Sequence, residues 1–106
     1  MSYKRIQIAT ARPQIEQKTA TVIDIRDPQS YESGHICNAV HISNDNIQEF
    51  MQTTSKDTPI IVCCYHGNSS QSAAQFLVDQ GFQDVASLDG GFEMWKLGAA
   101  DLCSAE

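Results

Sequence analysis

The sequence predicts an α/β fold: a mostly parallel sheet with helices on both faces. Three observations carry that prediction. Short apolar runs alternate with helical patterns along the chain, the order that builds parallel sheets covered on both sides. "PIIVC" (59–63) is the most strand-like of these runs and belongs at the centre of the sheet. Helix caps stand at the junctions, with Asp27-Pro28 opening one helix and Gly81 closing another.

In order, "KRIQI" (4–8) reads as the first strand. Thr10 is placed to cap a short helix through Lys18, with Pro13 in its first turn. "TVIDI" (21–25) is β-branched and mostly apolar, as a buried strand should be. Asp27 is an N-cap with Pro28 at the first helical position, and that helix ends near Gly34. "AVHI" (39–42) is a brief strand. Ser43 or Asn44 starts a helix through about Thr53 that buries Ile47, Phe50 and Met51. After "PIIVC" the pattern turns helical from Ser70, with Ala73, Phe76 and Leu77 on one face and Gly81 as a left-handed cap. "DVASL" (84–88) is a further strand, and "DGG" leads into a last helix, "FEMWKL". The tail "GAADLCSAE" is expected to be loosely held.

Composition narrows the function. A chain of 106 residues with 42% hydrophobic residues suits one domain, 1–106, with a single packed core. Its formal net charge of −6 repels nucleic acid and anionic membrane surfaces, so neither is an expected partner. No apolar run approaches the ~20 residues that span a bilayer. The first residues show no apolar core and no small-residue cleavage site of a signal peptide, so a cytoplasmic location is expected. Cys37, Cys63, Cys64 and Cys103 are then read as reduced thiols. A disulfide between the adjacent Cys63 and Cys64 would be strained.

The chemistry concentrates in "CYHGNSS", residues 64–70, between the "PIIVC" strand and the next helix. Ligand crevices of such sheets lie at the carboxyl ends of the strands, where this loop sits. A compact strand-to-helix turn points its backbone N–H groups inward, and the helix N-terminus adds its positive dipole end. Gly67 relieves the turn, Asn68 tolerates unusual φ values, and Ser69 or Ser70 can cap the helix. A cysteine at the base of such a nest is acidified, and the thiolate is the nucleophile. Cys64 is therefore the candidate nucleophile, and Cys63 is a core-facing strand residue. A buried, inert Cys64 is the simpler reading when the residue is taken alone; the Gly-containing loop and the helix start argue for catalysis.

No lysine or arginine falls between Lys56 and Lys96. Cysteine phosphatases place an Arg six residues after the nucleophile to clamp a phosphoryl group; here that position is Ser70. A serine-hydrolase elbow fails too, because Gln71 stands where Gly-x-Ser-x-Gly needs its last Gly. Cys63, Cys64 and His66 lack the fourth ligand of a closed zinc site, so no metal and no cofactor are expected.

Three segments together resemble a rhodanese domain: "DIRDPQSYESGHICNAVHI" (24–42), the cysteine loop, and "LDGGFEMW" (88–95), in the family's order over most of the chain. The resemblance implies a five-stranded parallel sheet with helices on both faces. It implies transfer of a sulfane sulfur from thiosulfate to cyanide, or to thiols such as a thioredoxin-type dithiol. Cys64 would carry the persulfide, and Tyr65, His66, Gly67, Asn68, Ser69 and Ser70 would bind substrate through their amides. A non-enzymatic persulfide carrier shares the same first step. Where many members have Pro-Gly after "GHI", this chain has Cys37-Asn38, and Asn tolerates the left-handed turn.

Other residues have mainly structural readings. His66 either contacts sulfonate oxygens or a thiol partner, or is a turn residue. His35 and His41 are read as structural. Asp24 and Arg26 form an ion pair or hydrogen-bond network, with anion binding by Arg26 as the alternative. Gly90 and Gly91 suit close backbone approach, and Trp95 belongs to the core. Cys37 and Cys103 carry no motif.

Overall fold

A computed structural model describes residues 2–104. Five parallel strands form the main sheet in the order β1-β6-β5-β2-β4. They are β1 (Lys4–Ile6), β2 (Thr21–Asp24), β4 (Val40–His41), β5 (Ile60–Cys63) and β6 (Val85–Leu88). β5 is central and buried along its whole length, as its unbroken apolar sequence requires. The helices are α1 (Ile8–Glu16), α2 (Pro28–Ser33), α3 (Ile47–Thr53), α4 (Ser69–Asp79) and α5 (Gly91–Gly98).

The alternation along each strand divides the core into two layers. Val22, Ile61, Cys63, Ala86 and Leu88 pack with Ala11 and Ile15 of α1 and Phe92 and Trp95 of α5. Ile23, Ile60, Val62 and Val85 pack on the other face with Met51 of α3 and Ala74 and Leu77 of α4. Cys63 therefore faces the α1/α5 core, as its place in the strand predicts.

Asp27 caps α2 by accepting from the Ser30 amide at 3.1 Å, with Pro28 in the first turn. Gly81 (φ 103°) closes α4: its amide donates to Val78 O and the Phe82 amide to Leu77 O, a Schellman pair. Asn38 has φ 67°, so it does adopt the left-handed turn that asparagine tolerates.

Several boundaries differ from expectation. β1 stops at Ile6, and Gln7, not Thr10, is the N-cap of α1: its carbonyl accepts from the Thr10 and Ala11 amides with no side-chain cap. Pro13 consequently lies inside α1, and Lys18 (φ 57°) lies past its end, where Thr19 N–H donates to Gln14 O. α3 begins at Ile47, not at Ser43 or Asn44, because Asn46 Oδ1 ties back to the Ser43 amide at 2.7 Å and holds a turn there. Phe76 is 42% exposed and off the buried face of α4, where Ala74 takes its place.

The tail is not loosely held through Ser104. A 3-10 turn (Ala100–Leu102) leads into β7 (Cys103–Ser104), which pairs antiparallel with β3 (His35–Ile36). Leu102 O accepts from Cys37 N–H at 2.8 Å and from Trp95 Nε1–H at 3.3 Å. The last residues of that segment, 105–106, lie outside the described residues.

Candidate active site

The loop after β5 is built on its neighbour, the β6–α5 turn. Phe92 N–H donates to Cys64 O at 2.8 Å, and Glu93 N–H donates to Tyr65 O at 3.1 Å. The first amides of α5, left open by the helix, thus hold the carbonyls that begin the loop. That approach demands glycine at position 91: a Cβ there would stand 2.5 Å from Cys64 O and Tyr65 O, and its φ is 60°. Gly67 (φ 91°) meets the same turn from the other side, its Cβ direction pointing 2.9 Å from Gly90 N.

The loop closes on the Cys64 sulfur. Sγ accepts from Gly67 N–H at 3.2 Å and from Ser70 N–H at 3.3 Å, and Ser70 Oγ lies 3.3 Å away. Cys64 is 3% exposed. Burial pushes its pKa up. The Ser70 hydroxyl and the amides of Ser70, Gly67 and His66 outweigh burial and hold the thiol below its ordinary value of 9.0. Cys63, one residue earlier, has its pKa pushed up by burial and by the nearby Asp24 carboxylate. Two adjacent thiols thus differ in acidity because one faces a nest of donors and the other an apolar core.

The other loop residues separate by exposure. Gly67 and Ser70 are buried under the sulfur, while Tyr65, His66, Asn68 and Ser69 are exposed. Asn68 takes an ordinary αR conformation (φ −93°), not the unusual φ that its residue type would tolerate; Gly67 absorbs the turn. Neither serine caps α4. Asn68 is the N-cap, without a side-chain bond, and the Ser70 hydroxyl turns inward to the sulfur and to Ser87.

The description "rhodanese-like domain" applies to the family model that matches residues 8–97. The chain belongs to the rhodanese family. It is 52% identical over 95 residues to the thiosulfate sulfurtransferase GlpE of Pseudomonas paraeruginosa, covering 90% of this chain and 86% of that one. The crystal structure of a rhodanese-related protein from Thermoplasma volcanium superposes with a TM-score of 0.82 at 30% identity, over 98% of this chain and 100% of that one. A rhodanese-like domain protein from Staphylococcus aureus gives 0.76 at 25% identity, over 87% and 90% of the two chains.

Around this rhodanese loop the "DIR" segment forms a buried ion pair. Arg26 Nη2 lies 2.7 Å from Asp24 Oδ2 and 2.6 Å from Gly34 O, and Nε also donates to Asp24. The guanidinium lies over the Phe92 ring at 4.3 Å and near the Tyr65 ring at 5.8 Å. Tyr65 hydroxyl bonds Asp27 and lies 2.9 Å from Ser30 Oγ, which ties the loop to the start of α2. His35 Nδ1 lies 2.7 Å from Tyr31 O with its ring stacked on Tyr31, and His41 Nε2 lies 2.6 Å from Arg26 O. Both histidines therefore hold the "GHI" turn and the strand ends together. Trp95 is fully buried.

One site residue escapes the sequence reading. Ser87 of β6 is fully buried, and its hydroxyl lies 2.7 Å from that of Ser70. Its signal is a hydroxyl in the middle of the otherwise apolar "VASL" strand, since a buried polar group needs a partner. A cleft of about 710 Å³ opens not over the sulfur but beside it, between α2 and α5, with Tyr65 on its wall. All four cysteines are free. Among the described residues, no helix is long and apolar enough to cross a membrane.

Proposed function

We propose that the chain is a thiosulfate sulfurtransferase working through a Cys64 persulfide. The observation that carries this reading is the Cys64 sulfur itself: buried, acidified, and surrounded by Gly67 N–H, Ser70 N–H and Ser70 Oγ instead of a cationic side chain. The name of the Pseudomonas relative supports the choice of donor.

The Cys64 thiolate attacks the sulfane sulfur of thiosulfate. A new Sγ–S bond forms, the thiosulfate S–S bond breaks, and sulfite leaves with the electron pair. The persulfide then gives its outer sulfur to cyanide, or to a thiol such as a thioredoxin-type dithiol, and Cys64 returns as thiolate. The amides of Gly67 and Ser70, which already donate to the sulfur, are preorganised to stabilise its anionic form and need no reorientation during the reaction. Phosphoryl transfer is disfavoured because Ser70, at the position of the phosphatase arginine, is buried with its hydroxyl on the sulfur.

A thiolate that splits one transfer into two gives ping-pong kinetics. Initial rates with thiosulfate and cyanide varied together should give parallel double-reciprocal lines, and turnover of aryl phosphates should be negligible. Intersecting lines, or robust Cys64-dependent phosphatase activity, would overturn the reading.

A further inference from the structure

We propose that Gln71, oriented by Tyr3 from the other end of the chain, is a positioning residue that aims the Gly67 amide at the Cys64 sulfur. The proposal deepens the reading above, on which it rests for the role of Cys64, by naming what sets one of the two amides of the nest.

The two amides that reach the sulfur are held differently. Ser70 is the second residue of α4, so its N–H is fixed by the first turn of the helix. Gly67 precedes the helix and belongs to no regular element. It has φ 91°, and glycine is the residue whose backbone turns most freely. Packing against Gly90 N and Leu88 O seats its Cα but does not set the peptide planes on either side.

A side chain sets one of them. Gln71 Nε2–H donates to Gly67 O at 2.8 Å, and among the described residues that carbonyl has no other hydrogen-bond donor. With the Cα seated and the carbonyl tied, the amide of the same residue has little freedom left, and it points at Sγ at 3.2 Å. Gln71 is the third residue of α4, where a Gln or Glu side chain commonly reaches back to the amide of the capping residue. Here it reaches one residue further, and to a carbonyl. The contact therefore needs a donor, which glutamate lacks.

Tyr3 fixes which end of the Gln71 amide faces the loop. Its hydroxyl donates to Gln71 Oε1 at 3.0 Å, across 68 positions of sequence. A carbonyl can only accept, so Nε2 must face Gly67 and Oε1 must face Tyr3. Tyr3 is half-buried just before β1, packed against the core layer that also holds α4. The result is a relay from the edge of the sheet to the nucleophile: Tyr3 to Gln71, Gln71 to the Gly67 carbonyl, and the Gly67 amide to sulfur.

The test is the pH profile of Cys64 alkylation by iodoacetamide in the full chain, with folding checked by circular dichroism. Gln71→Met keeps the length, adds no charge and removes the donor. A lost hydrogen bond to a charged group moves such a midpoint by about one to two pH units, and a loosened one by about half as much. Alkylation at pH 6 should therefore slow about three- to tenfold in Gln71→Met, with the midpoint raised. Tyr3→Phe, which leaves the amide in place but unaimed, should slow it about twofold, and should add nothing in the Gln71→Met background. Gln75→Met is the control, since Gln75 lies one turn further along α4 and pairs with Asp79; its profile should match wild type. An unchanged midpoint in folded Gln71→Met, a Tyr3→Phe effect that persists without Gln71, or an equal shift in Gln75→Met would overturn the relay. The predicted shifts together with no sulfur gained by wild type from thiosulfate would leave the relay standing and overturn the persulfide reading.

Discussion

The Ser70 hydroxyl lies 2.7 Å from the Ser87 hydroxyl, and both residues are fully shielded from solvent. The pair has a direction once Cys64 ionises. A thiolate can only accept, so Ser70 must donate to sulfur and must itself accept from Ser87. Ser87 is thus a positioning residue for the proton that faces the nucleophile. In Ser87→Ala, the rate of iodoacetamide alkylation at pH 6 should fall by roughly two- to tenfold, the range of one neutral hydrogen bond, because the Ser70 hydroxyl loses the donor that orients it toward sulfur. Ser87→Thr, which keeps the hydroxyl, should recover most of that loss. An unchanged pH profile in Ser87→Ala would leave the pair a purely structural contact.

His66 is exposed, and its backbone, not its ring, is among the groups that acidify Cys64. His66→Ala should therefore leave the pH midpoint of alkylation in place while changing the affinity for thiosulfate. A midpoint restored to that of an ordinary thiol would identify an imidazolium–thiolate pair as the activator.

The depressed Cys64 pKa also couples to stability. Its contribution is fully present above the ordinary thiol value of 9.0 and is lost as pH falls through the lower folded-state value. Urea midpoints of wild type and Cys64→Ala should accordingly draw apart in favour of wild type as pH rises through that window. A constant gap across the same range would contradict the shift.

Gly91→Ala tests how the loop is mounted. The added Cβ would collide with backbone atoms of Cys64 and Tyr65 at 2.5 Å, in a left-handed conformation. Strain and overpacking together predict a loss of about 2–5 kcal/mol in denaturant unfolding, with sulfur transfer reduced in whatever folds. Near-wild-type stability would show that the turn can move away without consequence.

Arg26→Ala leaves the Asp24 carboxylate buried without its partner. Breaking such a pair from one side costs about 3–5 kcal/mol, which a urea midpoint should report. A loss under 1 kcal/mol would mean that water or another group takes over the carboxylate.

Much of the fold was legible because its signals are local. "PIIVC" reads as a central strand since nothing polar interrupts it, and Gly81 reads as a cap since its position calls for positive φ. Cys64 was legible through its loop, and Gly67 through the turn it makes. The misses share a different cause, contacts between residues far apart in sequence. Ser70 looked like a helix cap and is instead held by Ser87, seventeen positions later. The tail carries no strand signal of its own and is ordered through Ser104 by β3 and by Trp95. The start of α1 was misplaced because Gln7 supplies a backbone carbonyl, which any residue can do, where a side-chain cap was expected. The cleft behind Tyr65 joins α2, α5 and the tail, and no single segment announces it.

The persulfide on Cys64 is tested most directly by intact-protein mass spectrometry after incubation with thiosulfate and no acceptor. Wild type and Cys63→Ala should each gain the mass of one sulfur atom, Cys64→Ser should gain none, and cyanide should reverse the gain. A sulfur carried by Cys64→Ser, or no gain in wild type while turnover proceeds, would contradict it.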